Sequence, residues 1–78
     1  MNNTRRKRIR ELLEKLEEVR GGLEELRDEE QEYVDNIPEN LQSGERYEKA
    51  EEAAYVLDEA VSDLEDMIIK LEDAIEPC

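Results

Sequence analysis

Apolar residues recur along this chain at alternating intervals of three and four, and no other sequence feature constrains the fold as strongly. In the first half only Glu30 interrupts the series, which is Ile9, Leu12, Leu16, Val19, Leu23, Leu26, Tyr33 and Ile37. In the second half no member is charged, and the series is Tyr47, Ala50, Ala54, Leu57, Val61, Leu64, Ile68, Leu71, Ile75 and Cys78. This spacing is typical of a coiled-coil seam. It predicts two long amphipathic helices.

The stretch "DNIPENLQSGER" separates the two apolar series. Pro38 disfavours helical geometry at the residue before it and has no amide hydrogen to donate. We expect helices from about residue 4 to 36 and from about 44 to 76, joined by a loop over 37–43. In the loop we expect "PENL" to form one helical turn. Ser43 or Asn40 is expected to cap the second helix.

A connection this short favours antiparallel neighbours. The predicted fold is therefore all-α, a single domain over residues 1–78 that forms an antiparallel two-helix coiled-coil hairpin. Folding at the loop sets Leu16 near Ile68, and it sets Glu30 beside Ala54. The glycine pair Gly21 and Gly22 leaves the spacing in phase, so we expect one continuous helix through it. Gly22 would then flank the seam, where a missing side chain lets another backbone come close, and Gly21 would point outward.

The second helix has more apolar surface than one partner helix covers, which predicts a homodimer in the form of a four-helix bundle. A foreign protein covering the same surface is the alternative. The residues expected to support self-association are Tyr55, Val56, Val61, Met67, Ile68 and Ile69.

Acidic residues dominate the composition, with 24 acidic against 11 basic side chains and a net charge of −13. Five of the basic residues lie in "RRKRIR", residues 5–10, so the rest of the chain has a net charge of −18. We expect "RRKRIR" to pair with Glu72, Asp73 and Glu76 near the other end of the hairpin. The acidic remainder repels nucleic acid, so we do not expect direct binding to it.

Few chemical activities fit this composition. The chain has no histidine and one cysteine, which excludes zinc clusters and histidine-based catalysis. No apolar run approaches the roughly 20 residues that span a bilayer, and the first residues do not form a signal peptide. We expect a cytoplasmic protein that is not an enzyme, with no membrane association, catalytic residue, cofactor or metal site.

Charge of this density approaches that of duplex DNA, which has one negative charge per roughly 1.7 Å of axis. One hypothesis is therefore an acidic module that binds a basic, nucleic-acid-binding host protein as a mimic of nucleic acid. The other is a structural or scaffolding coiled coil that oligomerises through its apolar surface. For the first hypothesis the candidate contacts are Glu24, Glu25, Asp28, Glu32, Glu51, Glu52, Asp58 and Glu59.

Residues 26–68, "LRDEEQEYVDNIPENLQSGERYEKAEEAAYVLDEAVSDLEDMI", resemble a pattern found in short, uncharacterised acidic helical-hairpin proteins of Firmicutes and their phages. The motifs that support the resemblance are "DEE", "N-x-P-E-N-L-Q" and "RYE". The resemblance implies a helical hairpin and a bacterial or phage setting, but no reaction. Small acidic phage proteins of this build include inhibitors of host defence systems, among them anti-CRISPR proteins that mimic nucleic acid.

Overall fold

The structure, a computed structural model that describes residues 1–76, is a hairpin of two long helices. Helix α1 spans Asn3–Asp35, a short 3₁₀ helix spans Glu39–Leu41, and helix α2 spans Glu45–Ile75. Arg27 of α1 contacts Asp58 of α2 at 3.1 Å, which places the two helices side by side in the expected register. The all-α hairpin is confirmed, and both long helices begin and end within one residue of the expected positions.

The ends of the helices follow local chemistry. The amide of Arg5 donates to the side-chain oxygen of Asn2 at 2.8 Å, which caps the start of α1. The predicted turn in "PENL" is present as the 3₁₀ helix. The expected side-chain cap of α2 is wrong, because Gly44 occupies the capping position and no side chain there accepts a hydrogen bond. Acidic side chains in the first turn, Glu45 and Glu48, instead favour the start of α2 electrostatically.

Helix α1 continues through Gly21 and Gly22 without a break, as the spacing predicts. A Cβ atom built on either glycine meets no other atom within 4 Å. Nothing inside the hairpin therefore requires glycine at these two positions.

The seam of α2 is the predicted one. The core of the described chain consists of six α2 residues and one residue of α1, namely Ala50, Ala54, Val61, Leu64, Ile68, Ile75 and Val34. Tyr47, Leu57 and Leu71 complete the seam as half-buried residues. Cys78, the last expected member, lies outside the described residues.

The predicted seam of α1 is wrong at every second position. Leu12, Val19, Leu26 and Tyr33 were expected to pack against α2 but are 53, 51, 51 and 41% exposed. The residues immediately after them face α2 instead, namely Leu13, Arg20, Arg27 and Val34. Together with the shared line Ile9, Leu16, Leu23, Glu30 and Ile37, they form the observed seam.

Two arginines make this rotation of α1 possible. The guanidinium of Arg27 donates to Asp28 at 3.2 Å and to Asp58 at 3.1 Å. Arg20 pairs with Glu17 and lies 3.7 Å from Glu24, although its buried Nε makes no hydrogen bond at that distance. Long arginine stems can cover apolar surface while the charged group stays at the edge. Arginine therefore occupies seam positions that an apolar count assigns to leucine and valine.

Candidate functional site

Grooves on this hairpin are open clefts between the two helices or beside the loop. Within residues 1–76 no three acidic or cysteine side chains come together in a way that could hold a metal ion. No helix of the described chain is long and apolar enough to cross a membrane. The candidate functional sites are therefore the two broad surfaces on either side of the seam.

The clefts show which residues of α1 and α2 share a side. At the loop end, Tyr33 lies with Arg46 and Leu41 beside one cleft. On the opposite side, Gln31 lines a cleft with Glu51 and Asp58. Side chains seven residues apart point to the same side of a helix and form a line along it. The residues of the two clefts therefore show on which side of the hairpin each such line lies.

The first side is apolar, and we call it the uncovered face. Its central lines are Leu12, Val19, Leu26 and Tyr33 of α1 with Ala53, Ala60, Met67 and Ala74 of α2. Its outer lines are Lys15, Gly22 and Glu29 of α1 with Lys49, Val56, Asp63 and Lys70 of α2. No element of the described chain packs on this side, so half or more of Leu12, Val19 and Val56 is exposed to solvent.

The other side and both outer edges form what we call the acidic surface. It holds every acidic residue of the chain except Glu29, Glu30, Glu39 and Asp63. Its only basic residues are Lys7 and Arg10. The remaining basic residues lie in the seam or on the uncovered face. Those in the seam are Arg6, Arg20 and Arg27. Those on the uncovered face are Arg5, Arg8, Lys15, Arg46, Lys49 and Lys70. The two sides of the hairpin are thus opposite in charge as well as in hydropathy.

All of the predicted acidic contacts lie on the acidic surface, but they are of two kinds. Glu24, Asp28, Glu51 and Asp58 make contacts within the chain, to Arg20, Arg27 and Tyr47. The side chains of the other four make no hydrogen bond or ion pair to another of residues 1–76, and these four are Glu25, Glu32, Glu52 and Glu59. These four lie on the outer edges, where a partner protein can reach them without breaking an internal contact.

Two side-chain groups of this region have shifted pKa values. The hydroxyl of Tyr47 donates to Glu51 at 3.1 Å, and this hydrogen bond raises the pKa of Tyr47 because ionisation would place two negative charges together. The hydrogen bond to Asp28, followed by that to Asp58, raises the pKa of Arg27. Glu30 stays half-buried in the seam, and the hydroxyl of Tyr47 donates to Glu51 and not to Glu30.

The residues predicted for self-association fall into three groups. Val61 and Ile68 are 3 and 4% exposed and belong to the seam of the hairpin, so they are not available to a second chain. Val56 and Met67 lie on the uncovered face and are 53 and 48% exposed. Tyr55 and Ile69 are also exposed but lie on the acidic surface. The exposed line of α1 was missed, because the sequence pattern assigned it to the seam.

The basic segment "RRKRIR" does not pair with α2 as expected. Within residues 1–76 no ion pair joins these residues to Glu72, Asp73 or Glu76. Arg6 instead donates to Asn3 at 3.2 Å, and Arg5 and Arg8 line a cleft with Met1, Ile9 and Leu12. Arg5 and Arg8 therefore extend the uncovered face at the open end of the hairpin, whereas the other basic residues of the segment do not lie on it.

Comparison of the chain with protein-family models, with curated proteins and with solved structures found no match.

Proposed function

We propose that this protein is a non-enzymatic interaction module whose acidic surface binds a basic, nucleic-acid-binding protein and competes there with nucleic acid. The observation that supports this most directly is the segregation of charge. Nearly all acidic side chains lie on one side and the two outer edges, and of the basic residues of the described chain only Lys7 and Arg10 lie on the same surface. A surface of one sign attracts an oppositely charged partner and raises the rate of association.

The dimensions of the hairpin suit this role. Over its Cα atoms it measures 59 × 17 × 15 Å, which is a narrow rod with carboxylates along one side and both outer edges. The carboxylates of outer-edge acids on both helices, such as Glu25 and Glu59, make no hydrogen bond or ion pair with the rest of the described chain. A basic cleft can therefore engage them without competition from internal ion pairs.

The resemblance to acidic helical-hairpin proteins of Firmicutes and their phages supplies the setting of the proposal. In that setting the protein acts in the cytoplasm of a bacterial or phage-infected cell as an inhibitor of a host defence or nucleic-acid-binding protein. An anti-CRISPR type of inhibitor belongs to this class.

Reversing the charge of four outer-edge residues tests the proposal. The variant combines Glu25→Lys, Glu32→Lys, Glu52→Lys and Glu59→Lys, and the matched control replaces the same four residues by Asp. Immobilised wild-type chain is expected to capture basic proteins from a bacterial lysate at low salt and to release them when duplex DNA is added. The aspartate control should capture and release the same basic proteins as the wild type, whereas the lysine variant should capture none of them. Equal capture by the lysine variant would argue against the acidic surface as the binding site.

The uncovered face favours a second candidate function, that of a structural coiled coil that oligomerises. Exposed apolar residues on this side run from Leu12 to Tyr33, over most of the length of α1. Contiguous apolar patches larger than a few hundred Å² are rare on monomeric proteins and mark interaction sites. The two candidates use opposite sides of the hairpin, so one protein can perform both.

A further inference from the structure

We propose that the uncovered face is the interface of a homodimer in which the α1 helices of two copies run antiparallel and cross at Gly22. Two hairpins joined in this way form a four-helix bundle. This inference concerns a surface that binding through the acidic surface does not use, so either proposal can fail without the other.

The first observation is that α1 has a complete apolar line with no partner. Leu12, Val19, Leu26 and Tyr33 recur every seven residues, and each is between 41 and 53% exposed. Helix α2 adds Met67 to the same side, 48% exposed. Helix α1 places arginines in its own seam while these apolar side chains face solvent, so the face is suited to burial against a further helix pair.

The second observation is the position of Gly22. Glycine lowers helix stability relative to alanine, and a Cβ on Gly22 would meet no atom within 4 Å inside the hairpin. Gly22 lies on the uncovered face, among the exposed side chains of Val19 and Leu26. Absence of a side chain there lets the backbone of another helix approach closely. The missing side chain at Gly22 therefore has a packing role only in contact with another chain.

The third observation is that the sequence around Gly22 is self-complementary. In an antiparallel pair that crosses at this residue, a side chain before Gly22 meets the side chain at the same distance after Gly22 on the second copy. Lys15 and Glu29 each lie seven residues from Gly22, so each lysine meets a glutamate of the other copy. Because a two-fold interface is isologous, this ion pair occurs twice.

The apolar residues match about the same centre. Val19 lies three residues before Gly22 and Leu26 four residues after it, so these two side chains meet across the interface. Leu12 lies ten residues before Gly22 and Tyr33 eleven residues after it, and they pair in the same way. Apolar side chains therefore meet apolar ones along the whole line.

In the antiparallel dimer the same register brings Asp63 of each α2 near Asp63 of the other copy, which is one repulsive contact against the two attractive Lys15–Glu29 pairs. The alternative face-to-face dimer has both loops at the same end, and there no attractive pair on the outer lines offsets the repulsion. In that arrangement α1 of one copy faces α2 of the other at the same height. The register of the hairpin then sets Lys15 opposite Lys70 of the second copy, a repulsive contact. A foreign acidic helix would also satisfy both lysines, and a single-chain mass of the wild type in sedimentation would favour it over a second copy.

The area is sufficient for a stable dimer. Standard interfaces bury about 800 Å² per partner. A strip only as wide as the 15 Å dimension of the hairpin reaches this area over about 53 Å, which is shorter than its 59 Å length.

Disulfide trapping tests the crossing point. Gly22→Cys in a Cys78→Ser background places two thiols at the crossing, and a disulfide forms only when the two Cα atoms lie within about 7 Å. Mild oxidation is expected to convert this variant to a covalent dimer. The matched control, Gly21→Cys in the same background, lies on the acidic surface and should stay unlinked. Failure of the Gly22 variant to link, or equal linking of both variants, would overturn the crossing at Gly22.

A charge swap tests the antiparallel direction. Lys15→Glu is expected to raise the dimer dissociation constant about tenfold in sedimentation, since two attractive pairs become repulsive. Adding Glu29→Lys restores the pairs with reversed polarity and should restore the wild-type constant. A double variant no tighter than the single one would overturn the antiparallel arrangement. A single-chain mass of the wild type at every concentration would overturn the homodimer and leave a foreign partner for this face.

Discussion

Replacing Ile68 by Asp is expected to unfold the protein. Ile68 is 4% exposed in the α2 seam, so an aspartate there would lose its contact with water without gaining a partner. Such a buried, unpaired charge costs about 3–5 kcal/mol, which is similar to the whole stability of a domain this small. The helical signal in circular dichroism should fall to that of an unfolded chain at 25 °C.

The adjacent residue provides the control for this substitution. Ile69 has the same side chain in the same helix but is 56% exposed on the acidic surface. Ile69→Asp should therefore change the free energy of unfolding by no more than about 0.5 kcal/mol. A folded Ile68→Asp variant, or an Ile69→Asp variant that is equally unfolded, would contradict the observed seam of α2.

Replacing Leu13 by Asp is expected to destabilise the hairpin by about 2–4 kcal/mol, because Leu13 packs beside Ile68 and Ile75 at the edge of the seam. Leu12→Asp is the matched control, since Leu12 is 53% exposed on the uncovered face. Urea unfolding of both variants measures the difference. This pair tests the rotation of α1 that apolar spacing alone predicts wrongly.

Repeating the urea unfolding of the Leu12→Asp and Leu13→Asp variants at several chain concentrations distinguishes an effect on folding from an effect on dimerisation. Leu12 belongs to the proposed dimer interface, so Leu12→Asp should lower the unfolding midpoint only where the wild type is dimeric. At the lowest concentration that circular dichroism permits, Leu12→Asp should match the wild type and Leu13→Asp should not. The reverse order would place Leu12 in the seam, as the sequence pattern predicts.

The seam of α2 could be predicted from the sequence because both of its lines of residues, the one through Val61 and Ile68 and the one through Leu57 and Leu64, are apolar throughout. The seam of α1 could not, because two seams share the line from Ile9 to Ile37. The two possible seams differ in their second line of residues, which begins with Leu12 and Val19 in one and with Leu13 and Arg20 in the other. An apolar count chooses leucine and valine and overlooks arginine, whose stem can cover a seam while its charged group pairs at the edge.

The helix ends and the glycine pair were largely predictable, since proline chemistry and an unbroken phase are local properties. The cap of α2 was not, because Ser43, Asn40 and Gly44 all suit such a position and the path of the loop decides among them.

Sequence reasoning placed the candidate acidic contacts outside the seam, and the structure has all eight of them there. It could not separate Glu25 and Glu59, which face solvent alone, from Asp28 and Asp58, which pair with Arg27. That distinction depends on the rotation of α1, which brings Arg27 to the seam. The α1 line of the uncovered face was missed for the same reason.

A distance between spin labels at residues 18 and 66 tests the hairpin and its register most directly. Glu18→Cys and Asp66→Cys, in a Cys78→Ser background, place both labels on exposed residues at the same height. Doubly labelled chains diluted in unlabelled protein report only the distance within one chain. Pulsed electron paramagnetic resonance should give about 20–30 Å, the width of two packed helices with labels. A distance of about 70 Å, the span of 48 residues in one uninterrupted helix, would contradict the account.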